Sequence, residues 1–132
     1  MTPQQKLKHL ILLKWAVYTG QDLPEVSVET IDQVFENIEA LADGDLQDAM
    51  NEVRCSGEPT ALRCEFSRHY ESMAVAAQTL DGSWVGWTYY YGGGNHGSPE
   101  EMPWLEDAYD VRVTRVFARA DALDAAEISA AT

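Results

Sequence analysis

A chain of 132 residues with nine Lys and Arg against 22 Asp and Glu carries a formal charge of -13. That field argues against direct binding to nucleic acid or to an anionic membrane, and it favours basic partners or cations. At 45% hydrophobic content the chain is too apolar to stay disordered, and its length suits one domain with a single core.

The first apolar run, "LILLKWAVY", is broken by Lys14, is shorter than a bilayer span and is followed by no small-residue cleavage site. A cytoplasmic protein is expected. Leu7, Leu10, Ile11, Leu13, Val17 and Tyr18 recur at helical intervals from Pro3 to Thr19, where Gly20 supplies a stop. After a connection containing Pro24, Ser27 can cap a second helix whose apolar stripe is Val28, Ile31, Val34, Phe35, Ile38 and Leu41. Asp45 is placed to cap a third helix with Leu46, Ala49, Met50 and Val53, fading at Cys55-Ser56-Gly57. Cys55 and Cys64 match no close zinc pair and are expected as thiols in a reducing compartment.

The period then changes to that of strands. Residues 70–80 and 83–91 are rich in Val, Thr, Trp and Tyr around Asp81-Gly82, a strong hairpin signal. A two-residue turn there sets Trp87 opposite Ala76, Tyr89 opposite Ala74 and Tyr91 opposite Ser72, with Trp84, Thr88 and Tyr90 on the other face beside Val75 and Met73. Ser98-Pro99-Glu100-Glu101 then reads as a capping box for a short helix to about Ala108, and "DVRVTRVFAR" alternates as a third strand. Helices first and strands afterwards predict an α+β fold, N-terminal helices on a small antiparallel sheet. The expected domain is 1–119, with a frayed or weakly helical tail at 120–132.

The run Gly92-Gly93-Gly94-Asn95-His96-Gly97 fits G-x-G-x-x-G, yet the preceding strand closes an antiparallel hairpin and Glu100 and Glu101 stand where phosphate would approach. A nucleotide cradle is not expected. An imidazole ordinarily titrates near neutral pH, and His96 could be oriented by Glu100 or Glu101, which makes it the candidate for a small enzyme or ligand-binding loop. Glycines in a row also serve simply to reverse the chain beneath bulky rings. There is no Gly-x-Ser-x-Gly and no His-Glu-x-x-His, and nothing in the spacing gathers Cys55, Cys64, His69 and His96 into a zinc site. No catalytic residue, metal or cofactor is assigned, and the balance leans away from an enzyme.

Ten carboxylates and no basic residue lie between Lys14 and Arg54. Glu25, Glu29, Asp32, Glu36, Glu39 and Asp43 follow helical steps and are expected on one face, opposite the apolar stripe, with Asp45, Asp48 and Glu52 as neighbours. Such a row keeps a protein soluble, and it can equally meet a basic channel on a nucleic-acid-binding protein. Trp84, Trp87, Tyr89 and Tyr91 put large rings on both hairpin faces, so one ring-bearing face is a candidate for partner binding or for a homodimer through the sheet.

The segment "SRHYESMAVAAQTLDGSWVGWTYYYGGGNHGSPEEMPWLEDAYDV", residues 67–111, resembles small phage and prophage proteins of uncharacterised function. In size and charge the chain is similar to phage inhibitors of bacterial defence, including anti-CRISPR and anti-restriction proteins. The resemblance is one of sequence pattern and carries over no catalytic residue; the acidic row and the lack of catalytic motifs are what lead to the expectation of a non-enzymatic inhibitor of a basic host protein.

Overall fold

In the computed structural model the first helix, α1 (Pro3–Thr19), starts on a reciprocal cap. The Gln5 N–H donates to Thr2 Oγ1 at 3.2 Å and the Thr2 N–H donates to Gln5 Oε1 at 3.0 Å. Two orphan donors of the helix start are thereby satisfied. The helix ends at Gly20, whose φ of 68° is the left-handed stop expected there. The structure describes residues 1–22, 25–41, 44–62, 71–92, 99, 102–115 and 127–130. They fall into two units, Met1–Ser56 and Gly57–Thr132.

In the first unit the second helix, α2 (Ile31–Glu39), begins four residues after the expected cap. Ser27 instead opens a turn: its carbonyl accepts from the N–H groups of Thr30 at 3.2 Å and Ile31 at 2.9 Å. The Thr30 hydroxyl accepts in return from the Ser27 N–H at 2.9 Å, so Val28 and Glu29 lie in the turn. Helix α3 (Asp45–Ser56) starts at the expected residue, with Asp45 and Asp48 in its first turn and Arg54 in its last. Both placements favour the helix dipole. Leu7, Ile11, Leu12 and Trp15 of α1 are buried, as are Ile31, Phe35 and Ile38 of α2 and Leu46, Ala49 and Val53 of α3. Helix α1 packs against both of the others.

The second unit is an antiparallel meander of β1 (Glu58–Pro59), β2 (Glu71–Gln78), β3 (Trp84–Gly92), β4 (Tyr109–Arg115) and β5 (Glu127–Ala130), in that spatial order. The α+β class read from the sequence is what the chain adopts. Two local expectations are corrected. Residues 102–108, the described part of the expected short helix, run through turns closed by Met102 N–H to Pro99 O and Ala108 N–H to Leu105 O. Pro103 lies among them and withholds a helical donor. Glu127–Ala130, inside the expected tail, pairs with β4.

The hairpin turn is one residue longer than Asp81-Gly82 suggested. The Gly82 N–H donates to Thr79 O at 3.0 Å and the Thr79 N–H to Ser83 O at 2.8 Å, leaving Leu80, Asp81 and Gly82 as the loop. Asp81 Oδ1 accepts from the Ser83 N–H at 2.9 Å, from Ser83 Oγ at 2.7 Å and from the Thr79 hydroxyl. That carboxylate draws both flanking hydroxyl residues into the base of the turn, and Gly82 takes the left-handed conformation at φ 87°. Every cross-strand pair moves by one residue as a result. Trp87 faces Val75 rather than Ala76, Tyr89 faces Met73 rather than Ala74, and Trp84, Thr88 and Tyr90 share their face with Gln78, Ala74 and Ser72.

One sheet face buries Val75, Val85 and Trp87, with Trp104 tilted against Trp87 at 5.8 Å between ring centroids. The other buries Ala74, Ala76 and Val111. Gly57 abuts the first of these faces, where a Cβ would lie 2.7 Å from Trp87 Cζ2 and 2.5 Å from Val75 Cγ2. Both side chains are fully buried. Gly57→Ala is expected to destabilise the protein by about 1–3 kcal/mol through overpacking, read as a fall in urea midpoint with the slope unchanged. An unchanged midpoint would mean that the wall formed by Val75 and Trp87 yields.

Candidate interaction surface

The acidic row divides into carboxylates that hold the fold and carboxylates that remain available. A helical residue turns the chain by about 100°, so Asp32, Glu36 and Glu39 lie one step round from buried Ile31, Phe35 and Ile38. Asp32 and Glu39 flank the apolar stripe, while Glu36 lies further round towards its opposite side. The opposite pole is taken by Gln33, whose amide donates to Asn37 at 2.9 Å.

Flanking positions are within reach of α1, and Asp32 is accordingly engaged on both oxygens. Lys8 Nζ donates to Oδ1 at 2.9 Å and Gln5 Nε2 to Oδ2 at 3.3 Å. Gln5 also donates to Val28 O at 3.0 Å, tying the turn before α2 to the start of α1. Lys8 lies 5.4 Å from the centroid of Phe35, a cation over a ring. The expectation that Asp32 projects free is therefore corrected: it is a clasp between two helices. Glu52 is likewise paired, with Lys14 at 3.2 Å.

The rest of the row is less regular than one helix face. Glu25 precedes the turn, Glu29 lies within it, and Asp43 falls outside the described residues. Glu29 is held below the ordinary carboxylate value by a bond from its own backbone N–H and a second from the Ser27 hydroxyl. Glu25, Glu29, Glu36 and Glu39 are all exposed. None of the four makes an ion pair among the described residues.

The aromatic candidates separate by depth. Trp87 is fully buried and is a core residue rather than a surface contact. Trp84 and Tyr89 are half-buried, while Tyr91 is 44% exposed. The rings of Tyr89 and Tyr91 stand 5.6 Å apart at 41°, a tilted pair on the same side of the ribbon. Exposed Glu71 and half-buried Met73 share that end of the sheet. Sequence reading missed both residues, because the shorter turn paired Tyr89 and Tyr91 with Ala74 and Ser72.

His96 and the glycine run beyond Gly92 lie outside the described residues, as do Cys64 and His69. Cys55 is an exposed free thiol. Among the described residues no cluster of His, Cys, Asp and Glu is placed to hold a metal ion, and no helix is long and apolar enough to cross a membrane. Comparison of the chain with protein-family models, with curated proteins and with solved structures finds no match.

The clasp gives the protein a defined acid response. The hydrogen bond from Lys8, assisted by Gln5 and opposed by desolvation, holds the Asp32 carboxyl below its ordinary value of 3.8. A depressed folded value means that the contribution is complete above the unfolded value and is lost as pH falls through the folded one. Asp32→Asn should therefore be less stable than wild type in urea at neutral pH, with the difference closing towards about pH 2. A gap that stays constant across that range would remove the ion pair from the account.

Proposed function

We propose that the protein is a non-enzymatic, acidic binding protein that covers the basic, nucleic-acid-binding surface of a partner. The observation that carries this is the set Glu25, Glu29, Glu36 and Glu39, exposed and without an ion pair among the described residues. Glu36 and Glu39, three residues apart on α2, are like charges that cost stability when nothing offsets them, and a cationic surface would supply counter-charge to all four. Lys8 and Lys14 are the nearest basic residues in the sequence before the row, and both are committed to other carboxylates.

The surface is not a replica of a duplex. DNA carries one charge per 1.7 Å or so, whereas successive turns of a helix repeat about every 5 Å. Competition is therefore by charge and by area covered, with encounter accelerated by the net -13 field. Given the likeness of residues 67–111 to phage proteins, the partner we favour is a cytoplasmic nucleoprotein of bacterial defence, inhibited when its nucleic-acid channel is occupied.

Asp32 is unsuitable for testing this because its loss opens the α1–α2 clasp. Reversal of Glu25, Glu36 and Glu39 to Lys leaves that clasp intact. With the wild type, capture from a bacterial lysate is expected to return a basic nucleic-acid-binding protein at low salt, to lose it at high salt and to release it to added duplex. The triple reversal should weaken capture by roughly tenfold or more while helix content and thermal midpoint hold. Equal capture by the folded variant would reject this surface.

A further inference from the structure

We propose that the open end of the β2–β3 ribbon is a receptor for an arginine side chain of the partner. The pairing of Ser72 with Tyr90 and of Glu71 with Gly92 skips Tyr91, which makes Tyr91 the extra residue of a β-bulge. A bulge re-aims its side chains, and here the Tyr91 ring comes down beside that of Tyr89, 5.6 Å away at 41°. Next to the bulge on the same strand, Gly92 has no side chain, and Glu71 across from it on β2 occupies the space. Its Oε2 lies 2.9 Å, and its carboxyl carbon 3.7 Å, from where a Cβ on Gly92 would stand. A carboxylate is thus folded over bare backbone at the residue next to an exposed tyrosine. Met73, paired with Tyr89 and half-buried, is on the same face.

Three classes of occupant can be weighed against this chemistry. An apolar segment would cover the rings but strip water from the Glu71 carboxylate without pairing it, a costly exchange. An anion or nucleobase would meet both Glu71 and the net -13 charge. A cation satisfies both halves of the patch, since the ring faces attract positive charge and the carboxylate pairs with it. Among cations the guanidinium fits better than the ammonium, because it is flat enough to stack on a tyrosine, more weakly hydrated and able to form a fork with a carboxylate. Glu71 makes no ion pair among the described residues, and Tyr91 is 44% exposed.

The proposal deepens the reading of a basic partner by naming the group that the sheet unit grips, and it rests on that reading only for the sign of the partner's charge. The probe is a blocked Gly-Arg-Gly-Arg-Gly peptide titrated into the whole chain, with the Tyr89 and Tyr91 ring resonances followed by NMR. Lysine and citrulline versions serve as controls. The arginine peptide is expected to shift both ring signals saturably, the lysine peptide to bind about two- to fivefold more weakly, and the neutral citrulline peptide not to bind. Glu71→Gln and Tyr91→Ala should each lower arginine-peptide affinity by about two- to fivefold or more, with the rest of the spectrum retained. Unmoved ring signals, an equal response to citrulline, or unchanged binding by folded Glu71→Gln would each overturn the receptor. The Glu25, Glu36 and Glu39 reversal should keep the ring response. Its disappearance in that variant would assign arginine binding to the helical unit and overturn the patch, whereas a retained ring response beside failed lysate capture would leave the receptor standing and reject the acidic surface alone.

Discussion

The three-residue turn between β2 and β3 sets the character of the whole sheet. Asp81 accepts from the backbone and hydroxyl of Ser83 and from the Thr79 hydroxyl, and this fixes where the two strands begin to pair. Side chains alternate along a strand, so a shift of one residue changes every neighbour on both faces. Trp87 and Val75 meet in the core because of it, and Tyr89 reaches Met73. At the other end a bulge interrupts this register and skips Tyr91, whose ring stands beside that of Tyr89. A loop built by one carboxylate thus decides what is buried in the middle of the ribbon, and the bulge decides what is displayed at its end.

The helical unit shows a comparable division of labour among like-charged groups. Ten carboxylates lie between Lys14 and Arg54, but they do not act alike. Asp32 and Glu52 are tied to lysines of α1, and Asp45 and Asp48 sit in the first turn of α3, where the helix dipole favours them. These have structural uses. Of the other six, Asp43 lies outside the described residues, and Asp22, Glu25, Glu29, Glu36 and Glu39 are exposed, spread over a connection, a turn and a helix. A flexible or irregular array of this kind suits broad charge complementarity better than imitation of a regular phosphate ladder.

Charge is shared between the units rather than concentrated in one: ten of the 22 carboxylates belong to the first and twelve to the second. Long-range attraction of the proposed basic partner would therefore not depend on any single patch, while short-range selectivity would. Exposed glutamates with no ion pair among the described residues provide sign and approach. In the proposed receptor, Glu71 and the paired tyrosine rings would provide shape by selecting a planar cation. The partner proposed for the helical unit and the group proposed for the sheet unit share one chemistry, that of an arginine-bearing basic protein.

Local pattern was sufficient for much of this chain. The limits of α1, the start of α3, the existence of the hairpin and the α+β class all follow from apolar periodicity and from stop and cap residues close in sequence, which act over a single turn of backbone. The late start of α2 was less legible, since Ser27 can either cap a helix or close a turn, and the choice was made by the Thr30 hydroxyl bonding back to it. The role of Asp32 could not be read from the row at all. Its spacing is the same as that of Glu36, and only the packing of α1 against α2 brings Lys8 and Gln5 to its two oxygens. The identity of the ring-bearing surface was equally beyond local pattern, because it depends on a register set at the turn and a bulge eight to ten residues further along β3. Sequence by itself determined where helices and strands form, through forces that act between near neighbours. Tertiary structure alone decided which charges are spent and which rings are shown, because those outcomes depend on contacts between residues far apart in the chain.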